Sequence, residues 1–386
     1  MPVTRASRAL PLPILLAACT TTGSGKDRIE PTFINVALEG DLGTAEAPLP
    51  FTVEPQTWVA NVTTLDANGD PYPFDGDLKI RTRPGRLDMD SWVTLTDGAW
   101  SGDVVMHAGF GPTRIWFGDE GDKNADSTRA ASWATGVSEP IHYELATIGE
   151  MQKSADIETN NLVGEFSELR VADRQVVVTA LGTSGFWVTD LADPIGSYNS
   201  LFVYTFNEPR DVVLGDQLIQ LGGGNNEYLG ATQLSWPTYE TAEGVALNPP
   251  DPVVLSSATA CDDDAMEGLE AAVVEVVDGV IPSTFKAGNE DYDTWVEYGQ
   301  WPISLADGEC TLYVSSETTA PNFSPADHVG EKVSVRGMVT QIWSAWIVQL
   351  RSEEDLALSA ALPAPPRIET SKLSPPRPRP NPNPTR

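Results

Sequence analysis

Histidine, cysteine and paired carboxylates supply most catalytic and metal sites, and this chain uses the first two sparingly. Its three histidines, His107, His142 and His328, stand far apart in sequence. None has a neighbour at zinc-type His/Cys spacing. Gly182-Thr183-Ser184-Gly185 falls one position short of the G-x-S-x-G turn that exposes a nucleophilic serine. A Ser/His/Asp triad is recognised by geometry, not by sequence order, so none is assigned. Acidic residues are so frequent that no carboxylate pair stands out as an acid/base couple. The expectation is a protein without enzymatic activity.

Two segments space oxygen ligands as the first half of a calcium loop does: Asp66-x-Asn68-x-Asp70 and Asp122-x-Asn124-x-Asp126. The second also holds Asp119 and Glu120. Neither runs on to the distal Glu of an EF-hand. Asp and Asn side chains build turns by accepting backbone N–H groups with no ion present. Turn chemistry is therefore the leading reading. Calcium on Asp119, Asp122, Asn124 and Asp126 is the alternative, and no other cofactor is implied.

Aromatic rings are the remaining ligand-bearing groups. Phe186, Trp187 and Tyr204 fall on expected strands and Tyr228 in a nearby loop; these four are the candidate ligand contacts. Farther along, Trp295, Tyr298, Trp343 and Trp346 form a second set. Side chains alternate across a strand, so about half of such rings must point into a core.

The amino terminus reads MPVTRASRALPLPILLAAC: two arginines, a short apolar run, then small residues before Cys19. That is the layout of an export signal, and the run is too short to span a bilayer as a helix. Leu16-Ala17-Ala18-Cys19 resembles the lipobox of bacterial lipoproteins. The resemblance implies cleavage of residues 1–18, acylation of Cys19, and a polar tether over 19–30. Thr20 follows the cysteine where an inner-membrane retention signal would have Asp, which points to the outer membrane of a Gram-negative cell. With Cys19 acylated, Cys261 and Cys310 remain as an even pair in an oxidising compartment. A disulfide between them is expected, with two buried thiols as the alternative.

Charge narrows the partners. Residues 27–360 carry 16 basic and 54 acidic side chains, a net charge of −38. A field of that sign repels polyanions and opposes nonspecific nucleic-acid binding, which needs Lys and Arg on phosphates.

These groups must be positioned by strands. Gly (32) and Pro (31) are plentiful and helical periodicity is rare, so short strands joined by tight turns are expected. Residues 31–146 show about seven such strands, among them Trp58–Leu65, Leu78–Arg83 and Thr113–Phe117, divided by turn clusters such as Asp97-Gly98. That spacing suggests an immunoglobulin-like sandwich. The stretch LDANGDPYPFDGDLKIRTRPG resembles the disulfide-free repeats of exported bacterial proteins.

Residues 147–245 and 246–360 share a pattern: a long strand, an aromatic strand (Gly185–Asp190, Thr294–Tyr298), a hydroxyl-tipped strand, a Gly-acid strand and a closing Gln-Leu. Gly215 to Leu234 spans 19 positions and Gly330 to Leu350 spans 20, as expected of a diverged internal repeat. Five strands in roughly 90 residues suit an OB-fold. The wording GFWVTD…LFVYT…VVLGDQLIQL…GATQL also resembles the OB-type modules that accompany secreted bacterial nucleases, whose catalytic part has no counterpart here. Residues 361–386 are rich in Pro and base and are expected to form an extended, solvated tail. The fold expectation is all-β: a sandwich followed by two OB-like barrels. The functional expectation is a membrane-anchored lipoprotein with a protein or glycan partner in the envelope. Nucleic-acid binding is the alternative, disfavoured by charge.

Overall fold

A computed structural model describes residues 32–107, 109–121, 134–153, 166–305, 310–316, 319–358, 362–365 and 367–368. Cys19 with its leader and tether, and Asp122, Asn124 and Asp126, lie outside these residues.

Period-two alternation builds the first unit. Its strands are β1 (Phe33–Glu39), β2 (Gln56–Leu65), β3 (Gly76–Arg83), β4 (Arg86–Leu87), β5 (Trp92–Leu95), β6 (Ala99–His107), β7 (Pro112–Gly118), β8 (Thr135–Val137) and β9 (Ile141–His142). In β2, Trp58, Ala60, Val62 and Thr64 point inward while their neighbours face outward. One sheet runs β1-β2-β6-β4 and the other β5-β3-β7-β8, with β9 on β7. Leu78, Ile80, Val104, Met106, Ile115 and Phe117 fill the space between them. This is the expected sandwich.

A short helix, α1 (Ile148–Gln152), follows, started by a capping box in which Thr147 and Glu150 each satisfy the other's backbone N–H. The next strands are β10 (Phe166–Glu168), β11 (Val176–Leu181), β12 (Gly185–Asp190), β13 (Ser200–Tyr204), β14 (Asp216–Tyr228) and β15 (Ala231–Ala246). β11, β12 and β13 form an antiparallel meander. β13 then pairs parallel with β15, β15 antiparallel with β14, and β14 antiparallel with β11. Taking β11 as first, the circuit reads 1-2-3-5-4-1, a closed five-stranded barrel. Val178, Phe186, Val188, Leu201, Val203 and Leu218 fill it.

The same circuit recurs. After β16 (Val253–Val254), α2 (Ser257–Ala260) and α3 (Asp263–Gly268) come β17 (Val273–Val280), α4 (Glu290–Tyr298), β18 (Gln300–Ser304), β19 (Thr311–Ser315), β20 (Lys332–Ile342), β21 (Ala345–Leu350) and β22 (Leu356–Leu358). The meander β17-β18-β19 is followed by a parallel β19–β21 pair, then β21–β20 and β20–β17. Cys261 and Cys310 form a disulfide, with α-carbons 5.7 Å apart, which ties the segment after α2 to the start of β19.

One expected strand is a helix. Thr294–Tyr298 lies in α4, and β18 takes the second-strand position. The local signals explain it. Asn289 caps the helix by accepting the Asp291 N–H at 2.9 Å, and Glu290, Asp291 and Asp293 favour its positive end. Gly299, at φ +67°, ends it. The start of the Pro-rich tail is docked, although Pro363, Ala364 and Arg367 stay exposed. The Pro363 carbonyl accepts from the buried Arg336, whose guanidinium also pairs with Glu275 at 2.6 Å, and Ile368 N–H bonds Asn248 at 2.8 Å.

Candidate binding face of the first barrel

Alternation sorts the rings of β12 and β13. Phe186 and Val188 point into the barrel, as do Leu201 and Val203. Trp187, Phe202 and Tyr204 therefore share the outer face. Trp187 stands directly opposite Phe202 in the β12–β13 register. Their ring centroids are 4.6 Å apart. The row continues from Phe202 to Tyr204 (6.3 Å), Tyr204 to Phe206 (4.5 Å) and Phe206 to Trp236 (4.3 Å). Five rings thus cross the outside of β12, β13 and β15. OB-type barrels bind oligonucleotides or oligosaccharides on the second and third strands.

Glycine makes room for the row. A β-carbon on Gly185 would overlap the Val203 carbonyl and stand 2.8 Å from the Phe202 ring. One on Gly182 would stand 2.8 Å from Trp187. The Gly-Thr-Ser-Gly segment is thus the β11–β12 hairpin, closed by the Gly182 N–H on the Gly185 carbonyl at 2.8 Å.

The exposed end depends on a bulge. Gly222 opposes Thr238 and Gly224 opposes Ser235, so Trp236 and Pro237 together face Gly223. Two residues against one is a β-bulge, which bends a strand and re-aims a side chain, and it is one of the few sheet positions that accept proline. Trp236 is 68% exposed. Its φ is +53°, and Phe206 has φ +65°. Left-handed backbone at a bulky residue costs on the order of 1–3 kcal/mol and persists only where the surroundings enforce it.

The opposite end of the row is covered. Trp187 is buried against Ala180 of its own barrel and Ala271, Val273 and Met338 of the second. Of the four rings expected to contact ligand, Tyr204 lies within the half-open part of the row and Trp187 at its closed end. Phe186 is a core residue, edge-on to Tyr239 at 5.0 Å. Tyr228 is exposed at the β14–β15 hairpin, away from the row. There Leu229 accepts the Trp343 N–H at 2.9 Å, so the tip meets the β20–β21 hairpin of the second barrel. Phe202, Phe206 and Trp236 were not anticipated. Phe202 was reachable from the strand pattern, being opposite Trp187. The other two depend on positive φ, which no residue type there signals.

In the second barrel Trp295 and Trp346 contribute to the core, and the Trp346 indole donates to Asp263 at 3.2 Å. Tyr298 and Trp343 are exposed, the latter at 78%.

The Asp66–Asp70 segment is a turn. Asp66 Oδ1 accepts the Asn68 and Asp70 N–H groups at 2.8 and 2.9 Å. The Asp70 bond, then the Asn68 bond, holds the Asp66 carboxyl below its ordinary range. Of the acidic loop, Asp119 is buried and accepts the Gly121 N–H at 3.2 Å. Glu120 is paired with Arg81 and, at 3.9 Å, Lys79. Asp122, Asn124 and Asp126, the other expected calcium ligands, lie outside the described residues. No group of three or more His, Cys, Asp or Glu that could hold a metal occurs among the described residues.

The histidines stay apart. His107 meets Asp88 at 3.1 Å, His328 meets Glu331 at 3.1 Å and stacks on Phe323, and His142 sits in β9. No described helix is long and apolar enough to cross a membrane. Compared with protein-family models, curated proteins and solved structures, the chain finds no match.

Proposed function

We propose that this chain is an exported, lipid-anchored binding protein with no catalytic role, and that the ring row of the first barrel docks an uncharged glycan. The observation that carries the reading is the continuous set of five rings from Trp187 to Trp236, open at the Tyr204–Phe206–Trp236 end. A pyranose presents a patch of polarised C–H bonds on its face, which suits the negative face of an aromatic ring. The left-handed backbone at Phe206 and Trp236 supports it too, since such strain collects at ligand-holding positions.

Nucleic acid is the competing ligand for this fold. Bases also stack on such rings, but binding single strands normally combines stacking with a positively charged groove. A net charge of −38 over residues 27–360 opposes that. The lipobox-like Leu16-Ala17-Ala18-Cys19 supports attachment to an envelope membrane.

Two measurements test the reading. Titration of the full chain with neutral oligosaccharides and with single-stranded DNA, at low and high salt, should give salt-insensitive glycan binding. DNA affinity that falls steeply with salt would replace glycan with nucleic acid. Cys19→Ser should move the protein from the membrane fraction to the soluble one; unchanged membrane retention would remove the anchor.

A further inference from the structure

Three carboxylates act on one another where the barrels meet. Glu270, in the turn between α3 and β17, is 1% exposed. Both its oxygens lie 3.2 Å from the Thr232 amide nitrogen, on β15 of the first barrel. The Thr232 hydroxyl donates to Glu227 of β14 at 2.6 Å. Glu267, at the end of α3, keeps one buried oxygen with no partner among the described residues. None of the three forms an ion pair with a lysine, arginine or histidine of the described residues. The other ionisable groups acting on the cluster are Asp263 and Asp264 of α3 and Tyr198, all acidic.

Close packing surrounds them. Tyr198 N–H bonds the Gly268 carbonyl at 2.9 Å, and a β-carbon on Gly268 would stand 2.6 Å from the Gly196 carbonyl oxygen. Trp187 is sealed against Ala271, Val273 and Met338 in the same junction. Water cannot reach a charge on Glu270; Glu227 and Glu267 are partly buried, and no cationic side chain among the described residues pairs with any of the three. An ionised carboxylate only accepts, and both buried oxygens of Glu270 share the single Thr232 amide, too few donors for a charge there.

We infer that the barrel–barrel junction is a proton-held clasp, closed while Glu270 and its neighbours Glu227 and Glu267 retain protons and loosened when they ionise. A carboxyl that keeps its proton can donate to a neighbour's oxygen, which supplies the missing donors. The clasp stands apart from the choice of ligand for the ring row. Burial, then repulsion from Glu267, raises the Glu270 carboxyl well above its ordinary range, and burial lifts Glu227 to about 7. Because the closed state binds these protons more tightly, its advantage is full below the ordinary carboxyl value of 4.5. It is lost as pH rises through about 7 for Glu227 and higher for Glu270. Each proton released makes the opening equilibrium up to about ten-fold more favourable per pH unit.

Hydrogen exchange of the full chain from pH 5 to pH 9, corrected for the intrinsic rate, tests the clasp. Protection at 226–234 and 266–272 should fall as pH rises, while β11 and β20 stay protected. Glu270→Gln and Glu227→Gln, alone and combined, should blunt the fall at least several-fold. If either variant fails to fold, Glu267→Gln serves the same comparison. Protection that is flat with pH, or a fall that is unchanged in the variants, overturns the proposal. So does millimolar calcium restoring protection at pH 9 in the unmodified chain, which would assign the carboxylates to a cation.

Discussion

Phe206 and Trp236 pack ring against ring, centroids 4.3 Å apart, and both do so from left-handed backbone. One follows the end of β13 and the other sits on the bulge of β15, so two independent distortions bring their rings together. Bulge and turn hold an aromatic pair in solvent, where burial gives little return.

That relation leads to a trade of stability against binding. Trp236→Gly should relieve strain at φ +53° while removing the exposed ring. Relief of about 1–3 kcal/mol of backbone strain is offset in part by the larger unfolded-chain entropy of glycine, so stability to urea should be unchanged or rise slightly, and glycan affinity should fall. A clear loss of stability would mean that the ring is held for packing and not for a ligand.

Gly185→Ala should act in the opposite way. The added β-carbon would meet the Val203 carbonyl and the Phe202 ring. Overpacking of this kind costs about 1–3 kcal/mol. Chemical denaturation should show that loss, and the Trp187–Phe202 contact should be displaced. An Ala variant as stable as the parent would mean that the hairpin adjusts freely.

The disulfide spans a sequence separation of 49 residues. Chain entropy assigns such a loop roughly 4 kcal/mol. Reduction, or Cys261→Ser with Cys310→Ser, should lower the unfolding temperature of the second barrel and leave the sandwich transition in place. One common shift of both transitions would show that the units unfold together.

Arg336 is buried, pairs with the partly buried Glu275 and also holds the Pro363 carbonyl. Arg336→Met leaves Glu275 without its charge partner, and breaking a buried pair costs about 3–5 kcal/mol. The tail around 362–368 should become accessible to protease. Unchanged stability and protease resistance would assign tail docking to Arg367 and Ile368 alone.

Much of the fold could be read from the chain because alternation and turn residues are local signals. Gly185–Asp190 appears as β12 with its expected limits, and Leu78–Arg83 falls within β3. The segment Thr294–Tyr298 misled because its aromatics suit a strand, while Asn289 and Gly299 mark the two ends of a helix. At the candidate site, alternation already implied that Phe186 and Trp187 face opposite ways; which one pointed inward needed the barrel. Phe206 and Trp236 were hidden by backbone that only tertiary structure enforces. The clasp was equally hidden, since Glu227 and Glu270 stand far apart in the chain and meet only when one barrel docks on the other.

Two exposed tryptophans decide the main question. Trp236 is 68% exposed and ends the ring row, whereas Trp343 is 78% exposed on a hairpin outside it. Affinity for a neutral oligosaccharide, measured by calorimetry, should drop at least about ten-fold in Trp236→Ala, as loss of a stacking ring does, and stay unchanged in Trp343→Ala. Equal losses in both, or a loss in Trp343→Ala alone, would contradict a ligand seated on the first barrel's aromatic face.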